Sequence, residues 1–467
     1  MKKYLVLALI FASACAHELP PPVYAPPPQA TVCRSERAPL QAATFNAGLI
    51  PSGQKYVAER TPFVANALAR VDADVMCVQE LWTDESRDAV IAASGLPYDQ
   101  VFFADTVGKG PRTSEPVCTA SMLSGLRRCA DSHCTGKGLD TGKCVTSSCE
   151  GDLISLYLFH RKCLHALVVN APGKTAVADM ANASMRKNAL VRAFDGRNGV
   201  LLLSKYPITD RQVIMLPSTG ANRVALVGRV QVPGMSAPVE VACTHLSSPL
   251  SKLDPWQSGA HEWPEEQAMQ YRKITDVLAK RAGGRPAIFL GDMNFGARHG
   301  ETVEGVYEEN MQLLREKGFT LPAASQEPPM YSQSNRNTFR KNDGPFLTRM
   351  LDQIQVRDPK GGDALHPECA RRILEEPVTV VVSGEGGVET NLSDHYGVLQ
   401  SFWPEADPSV IVPAKKEEAP PAAPPPAAPT TVAASELQAV SAAAEPAPEC
   451  GPAAAAQAET DVTIVTP

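Results

Sequence analysis

Positive charge is in short supply in this 467-residue chain, where 44 lysines and arginines face 51 aspartates and glutamates for a formal net charge of −7 at pH 7. That balance argues against a protein that holds nucleic acid through a broad cationic surface. It leaves a nuclease open, because a metal ion and a few local Arg or Lys can offset phosphate charge. Long apolar runs are missing too. The run Tyr4 to Ala14, broken only by Ser13, falls short of the roughly 20 residues that a bilayer span needs. None of the cysteines between Cys118 and Cys163 shows the two-residue spacing of a zinc knuckle, which sets a zinc site behind disulfides. No internal repeat is visible.

What is present begins with an export signature. Met1-Lys2-Lys3 is basic, the apolar run follows, and the small residues Ala12-Ser13-Ala14-Cys15-Ala16 close it. Residues 1–16 therefore read as a secretory signal. A cut before Cys15 would leave a lipidated cysteine, and a cut after Ala16 a soluble secreted protein. The expected destination is an outer-membrane or cell-surface lipoprotein, or a periplasmic or secreted form. Twelve cysteines fit an oxidising compartment. Six of them (Cys118, Cys129, Cys134, Cys144, Cys149 and Cys163) fall in one 46-residue stretch and read as disulfide partners whose pairing the sequence does not choose. Cys77 and Cys243 sit inside apolar strand patterns and read as buried free thiols.

Residues 17–37 are Pro-rich and read as an extended tether. Residues 405–467 shift to Ala, Pro, Glu and Thr and read as a disordered tail. The folded unit is thus 38–404, interrupted by a Cys-rich insertion at about 105–195. Hydrophobic residues make up 44% of the chain, enough for a sizeable core. Strand patterns are expected at Ala42 to Asn46, Val75 to Gln79, Val200 to Ser204, Val224 to Val232, Val239 to His245, Ala287 to Leu290 and Gly397 to Phe402. Helical spacing covers Tyr56 to Val71 and Glu265 to Ala282, the latter starting after Pro264 and stopping before Gly283-Gly284. This mixture predicts an α/β fold of two packed, mainly antiparallel sheets with outer helices.

Polar residues recur at the expected C-terminal ends of these strands. In order they are Asn46, Glu80, His245, Asp292 and Asn294, Asp352, then Asp394 and His395. Phosphate-ester cleavage explains such a grouping. Asn46, Glu80 and Asp394 supply the hard oxygens that Mg²⁺ or Mn²⁺ prefers. Asp292 can orient or deprotonate the attacking water, with Asn294 bonding both water and phosphate. His245 and His395 can stabilise charge on phosphorus or pass a proton, and Asp352 can hold His395 in one tautomer and raise its pKa.

The ordered set Asn46, Gln79-Glu80, Thr244-His245-Leu246, Gly291-Asp292-Met293-Asn294, Leu351-Asp352 and Ser393-Asp394-His395 resembles the endonuclease/exonuclease/phosphatase superfamily. The resemblance spans about residues 40–404 apart from the insertion. It implies a four-layer α/β/β/α sandwich with the site where the sheets meet. It also implies Glu80 as principal metal ligand near Asn46 and Asp394, with His245, Asp292, Asn294, Asp352 and His395 as the catalytic group. Asn198-Gly199-Val200 through Ser204-Lys205-Tyr206-Pro207-Ile208 is similar to a segment of neutral sphingomyelinases and related bacterial members. No counterpart is found for the glutamate that supports the first histidine in deoxyribonuclease-I-like enzymes.

The expected activity is therefore metal-dependent hydrolysis of a phosphodiester, with a phospholipid or sphingomyelin-type substrate ahead of nucleic acid. An extracellular nuclease is the alternative enzyme. A cell-surface binding module is the alternative of another class, and retention of the whole polar set argues against it. Membrane contact is expected through a lipidated Cys15 or through Trp256 and Trp263 on the loop after His245, unless Trp263 instead staples the following helix with Trp256 packed beneath it. The basic loop 335–342 reads either as a phosphate-receiving element or as a solvated turn. No obligate protein partner is evident.

Overall fold

The computed structural model describes residues 37–403, apart from 52–53, 105–110, 135–140, 173–175, 236, 251–252, 327, 342–347 and 359–364. The signal segment, Cys15, nearly all of the Pro-rich tether and the C-terminal tail lie outside the described residues.

In chain order the elements are β1 (Leu40–Leu49), α1 (Val57–Leu68), β2 (Val75–Leu81), α2 (Asp84–Ser94) and β3 (Val101–Phe103). The insertion follows as α3 (Ser124–His133), α4 (Thr141–Ser148), α5 (Glu150–Phe159), α6 (Arg161–Asn170) and α7 (Val177–Ser184). Then come β4 (Leu201–Ser204), β5 (Ile208–Met215), β6 (Val224–Val230), β7 (Val239–His245), α8 (Trp263–Ala282), β8 (Ala287–Asp292) and α9 (Gln312–Glu316). The chain closes with β9 (Gln333–Ser334), β10 (Thr348–Arg349), β11 (Asp352–Arg357), β12 (His366–Ile373), β13 (Val378–Val382), β14 (Gly386–Thr390) and β15 (Gly397–Trp403).

Two sheets dominate, ordered β12-β15-β1-β2-β4-β3 and β11-β8-β7-β6-β5. Each is mainly antiparallel with one parallel pair, β1–β2 in the first and β7–β8 in the second. Those two pairs are the ones joined by the long helices α1 and α8, because a parallel neighbour requires a crossover. Every residue of β1, β2, β7 and β8 is buried. Each of these strands has a sheet on one face and a helix on the other, which explains their near-continuous apolar runs. One core lies between the sheets and under α8, and a second lies between the first sheet and α1 with α2. The architecture is the expected α/β/β/α sandwich.

Strand β5 has no expected counterpart. As an edge strand it exposes most of its length, and most of its apolar residues cluster at Val213–Met215 rather than alternating. The polar residues also need one correction of direction. Asp352 opens β11, and Asp394 and His395 precede β15, so these three sit at N-terminal rather than C-terminal strand ends. β11 and β15 run antiparallel to β8 and β1, which brings those starts to the same rim.

The six insertion cysteines pair as disulfides, Cys118–Cys163, Cys129–Cys149 and Cys134–Cys144. They tie short helices around a small core of their own. Cys77 and Cys243, expected as free thiols, are instead disulfide-bonded, with Cα atoms 5.3 Å apart. β2 and β7 face each other across the inter-sheet core, so two cysteines remote in sequence point at one another. Closing so long a loop is worth roughly 5 kcal/mol by chain entropy alone.

Candidate active site

Register assembles the second sheet's share of the site. His245 on β7 pairs with Asp292 on β8, and Asp292 pairs with Asp352 on β11. Three polar residues thus stand side by side at one rim. Gly291 makes the step possible: its φ is +150°, and a Cβ there would lie 2.1 Å from the Thr244 carbonyl oxygen. The first sheet contributes Asn46 and Glu80, since β1 and β2 run parallel with Asn46 opposite Gln79. Glu80 and Asn294 both hold left-handed backbones, φ +61° and +51°. For non-glycine residues such strain concentrates at functional sites.

Asp292 is held from both sides. Asn46 Nδ2 donates to its Oδ2 at 2.9 Å and the Asn294 backbone N–H to its Oδ1 at 2.9 Å. His245 Nε2 lies 3.5 Å from the same Oδ2. His395 Nδ1 donates to Asp352 Oδ2 at 2.6 Å, and the side-chain amide of Gln333 lies 2.6 Å from its Nε2. Arg340, from the basic loop, pairs with Asp394 at 2.6 Å. Arg60, fully buried, clamps the turn after Asn46 to the Asp394 loop through the carbonyls of Ala47, Gly48 and Leu392. All eight expected residues are buried at one locus.

The electrostatics sort these groups. Burial, then the negative charge of Asp394, pushes Glu80 up to about 7. Burial and Asp352 push Asp292 up to about 6. Burial acts to lower His395, but Asp352 and Asp394 outweigh it and raise the ring to about 10. His245 is held well below the usual histidine range by burial, then by Arg223 and His395, and is neutral. Burial acts against the Asp394 carboxylate, yet Arg340 and His395 hold it below the ordinary value. Nδ1 of His245 has no hydrogen-bond partner among the described residues, consistent with the missing glutamate.

Carboxylates this close repel one another, and a hard divalent cation relieves that repulsion. Glu80, with Asn46 and Asp394 about it, fits such an ion through oxygen donors. Asp292, Asp352 and His395 also bring ligand atoms within 4.8 Å of one another. However, His395 and Asp352 are bonded to each other there, which suits proton chemistry better than ligation.

Sequence reasoning missed Arg223, Gln333 and the reach of Arg340. Arg223 is buried beside Trp82, its guanidinium 5.4 Å from the ring, and its Nε and Nη1 have no partner among the described residues. Its charge is felt by Glu80, Asp292 and His245. The only hint was its place just before the apolar run of β6.

On the rim loop after His245 the packing alternative holds for Trp263. Trp263 is 6% exposed and its Nε1 donates to the Leu253 carbonyl at 2.6 Å. Trp256 stacks on His165 of the insertion, with ring centroids 4.0 Å apart. Trp263 is thus turned to packing at the start of α8, while Trp256 stays partly exposed where it stacks on the insertion.

The sequence model of the Endonuclease/Exonuclease/phosphatase family matches residues 43–395. A search of curated proteins matches none to this chain. Among solved structures, a beta toxin from Staphylococcus aureus is similar at 15% identity and TM-score 0.46, covering 77% of this chain and 99% of its own. Sphingomyelinase C from Streptomyces griseocarneus is similar at 18% and 0.45, covering 78% and 99%. An endonuclease/exonuclease/phosphatase family protein from Bacteroides thetaiotaomicron is similar at 11% and 0.43, covering 78% and 97%.

Proposed function

Because this chain belongs to the endonuclease/exonuclease/phosphatase family, whose members hydrolyse phosphate esters, we propose that it is an exported, Mg²⁺- or Mn²⁺-dependent phosphodiesterase acting on a phospholipid or sphingomyelin-type substrate. The observation that carries the reading is Asp292 fixed between Asn46 and the Asn294 N–H, with neutral His245 on one side and the Asp352–His395 pair on the other.

The residues take the following parts. Asp292, with its pKa raised to about 6, is poised to accept a proton from the attacking water near neutral pH. His395, charged and oriented by Asp352, donates to oxygen as negative charge builds on phosphorus. Neutral His245 offers an N–H to the phosphoryl group. Arg223 presents unpaired N–H groups suited to phosphoryl oxygens. Asn46, Glu80 and Asp394 would hold the divalent ion, which supplies charge neutralisation at the phosphate when bound. The described disulfides support an oxidising destination, and the segment 1–16 supports export. The acidic charge balance favours lipid over nucleic acid.

The test offers purified protein sphingomyelin vesicles, duplex DNA and a generic phosphodiester, each with Mg²⁺ and with chelator. Asp292→Ala is the control. Metal-dependent turnover of lipid, lost in the variant, is expected. Turnover of DNA alone would overturn the substrate class, and no turnover of any by folded, metal-loaded protein would overturn the reaction class.

A further inference from the structure

Among the described residues, the insertion carries an exposed apolar face. On α5, Ile154 is 50% exposed, Leu158 64% and Phe159 74%. Ile154 and Leu158 stand one turn apart on the same side, and Phe159 extends the patch to the helix end. Burial would be the ordinary fate of such residues, and a cluster of them at the surface marks an interaction site. Immediately after Phe159 come His160, Arg161 and Lys162, the last two exposed. Arg161 also lies over the half-buried Tyr157 ring at 4.9 Å.

Charge indicates what this face meets. Between residues 105 and 195 there are twelve lysines and arginines against eight aspartates and glutamates, in a chain whose net charge is −7. A basic region of an acidic protein therefore carries this exposed apolar helix. Pairing with a second copy through this face would set two basic patches against each other, since a two-fold interface apposes like with like. An anionic lipid surface meets both requirements, accepting apolar side chains beneath the headgroups and cations among them.

Position links the face to the site. Arg161 pairs with Asp254, and His165 on α6 stacks on Trp256. Both partners lie on the loop between His245 and α8. The exposed end of α5 thus adjoins the segment of insertion seated on the catalytic rim.

We propose that the α5 face, Ile154, Leu158 and Phe159 with Arg161 and Lys162, docks the enzyme on anionic bilayers. The choice of a lipid partner rests on the phospholipid reading above. The test is co-sedimentation of full-length protein with vesicles of equal parts phosphatidylcholine and phosphatidylglycerol. Wild type is compared with the double variant Leu158→Asp/Phe159→Asp, alongside hydrolysis of a soluble phosphodiester. The wild type binds, less so at high salt. The variant's bound fraction falls about tenfold or more, as losing two inserted apolar side chains implies, while soluble turnover is unchanged. Equal binding by the variant, or no binding by the wild type, overturns the docking face. A concentration-dependent dimer that the variant abolishes also overturns it, in favour of self-association. Binding lost in the variant with no lipid hydrolysed by either protein supports the docking face and removes only the substrate reading.

Discussion

His395 carries its charge where burial alone would strip it, and the carboxylates of Asp352 and Asp394 are what keep it there. A histidine raised from about 6.5 to about 10 has a defined linkage. In metal-free protein its stabilisation is complete below about pH 6.5 and is lost as pH rises through about 10. Thermal denaturation in chelator across that range should show the decline, and Asp352→Asn should flatten it. The same variant should lower kcat by roughly a hundredfold, the usual scale for a displaced acid–base group. Arg223 leads to a different expectation. A buried guanidinium with unpaired nitrogens costs stability, so Arg223→Met should raise the melting temperature while lowering kcat roughly a hundredfold. A variant that loses stability and keeps activity would show Arg223 to be a packing residue.

Strand pairing is what turns single residues into a site. Gly291 lets β8 approach β7 so closely that its neighbour Asp292 falls beside His245. Gly291→Ala should cost about 3 kcal/mol or more, measured by urea denaturation, and should impair activity in whatever protein folds. The same element shows why much was legible in the sequence. β7 and β8 are buried on both faces, so β8 reads as an apolar run ending in Asp292, β7 as mostly apolar residues around Glu240 before Thr244-His245, and the expected β7 matches the observed Val239–His245. α8 was marked by Pro264 within its first turn and Gly283 at its end. Illegible were the features set by non-local packing. Asp352 and His395 meet only because β11 and β15 reverse direction, and Arg340 finds Asp394 across 54 positions. The helices of the insertion are short and their core is built partly from the paired cysteines, so no periodic signal announces them.

On the scale of the whole molecule, the Cys77–Cys243 bond is a disulfide that ties the two sheets together across their core. Cys77→Ala/Cys243→Ala should lower stability by roughly 3–5 kcal/mol, read as a shift of the urea midpoint under oxidising conditions. An unchanged midpoint would mean that inter-sheet packing suffices without it. The eight candidate site residues are divided across the same boundary. The first sheet and its loops supply Asn46, Glu80, Asp394 and His395, and the second supplies His245, Asp292, Asn294 and Asp352. Neither half holds the whole set, so the proposed catalysis is a logical conjunction of two correctly built halves. Turnover is then a readout of global assembly: during unfolding it should vanish in step with inter-sheet contact, and no fragment containing one sheet should retain a residual trace of it.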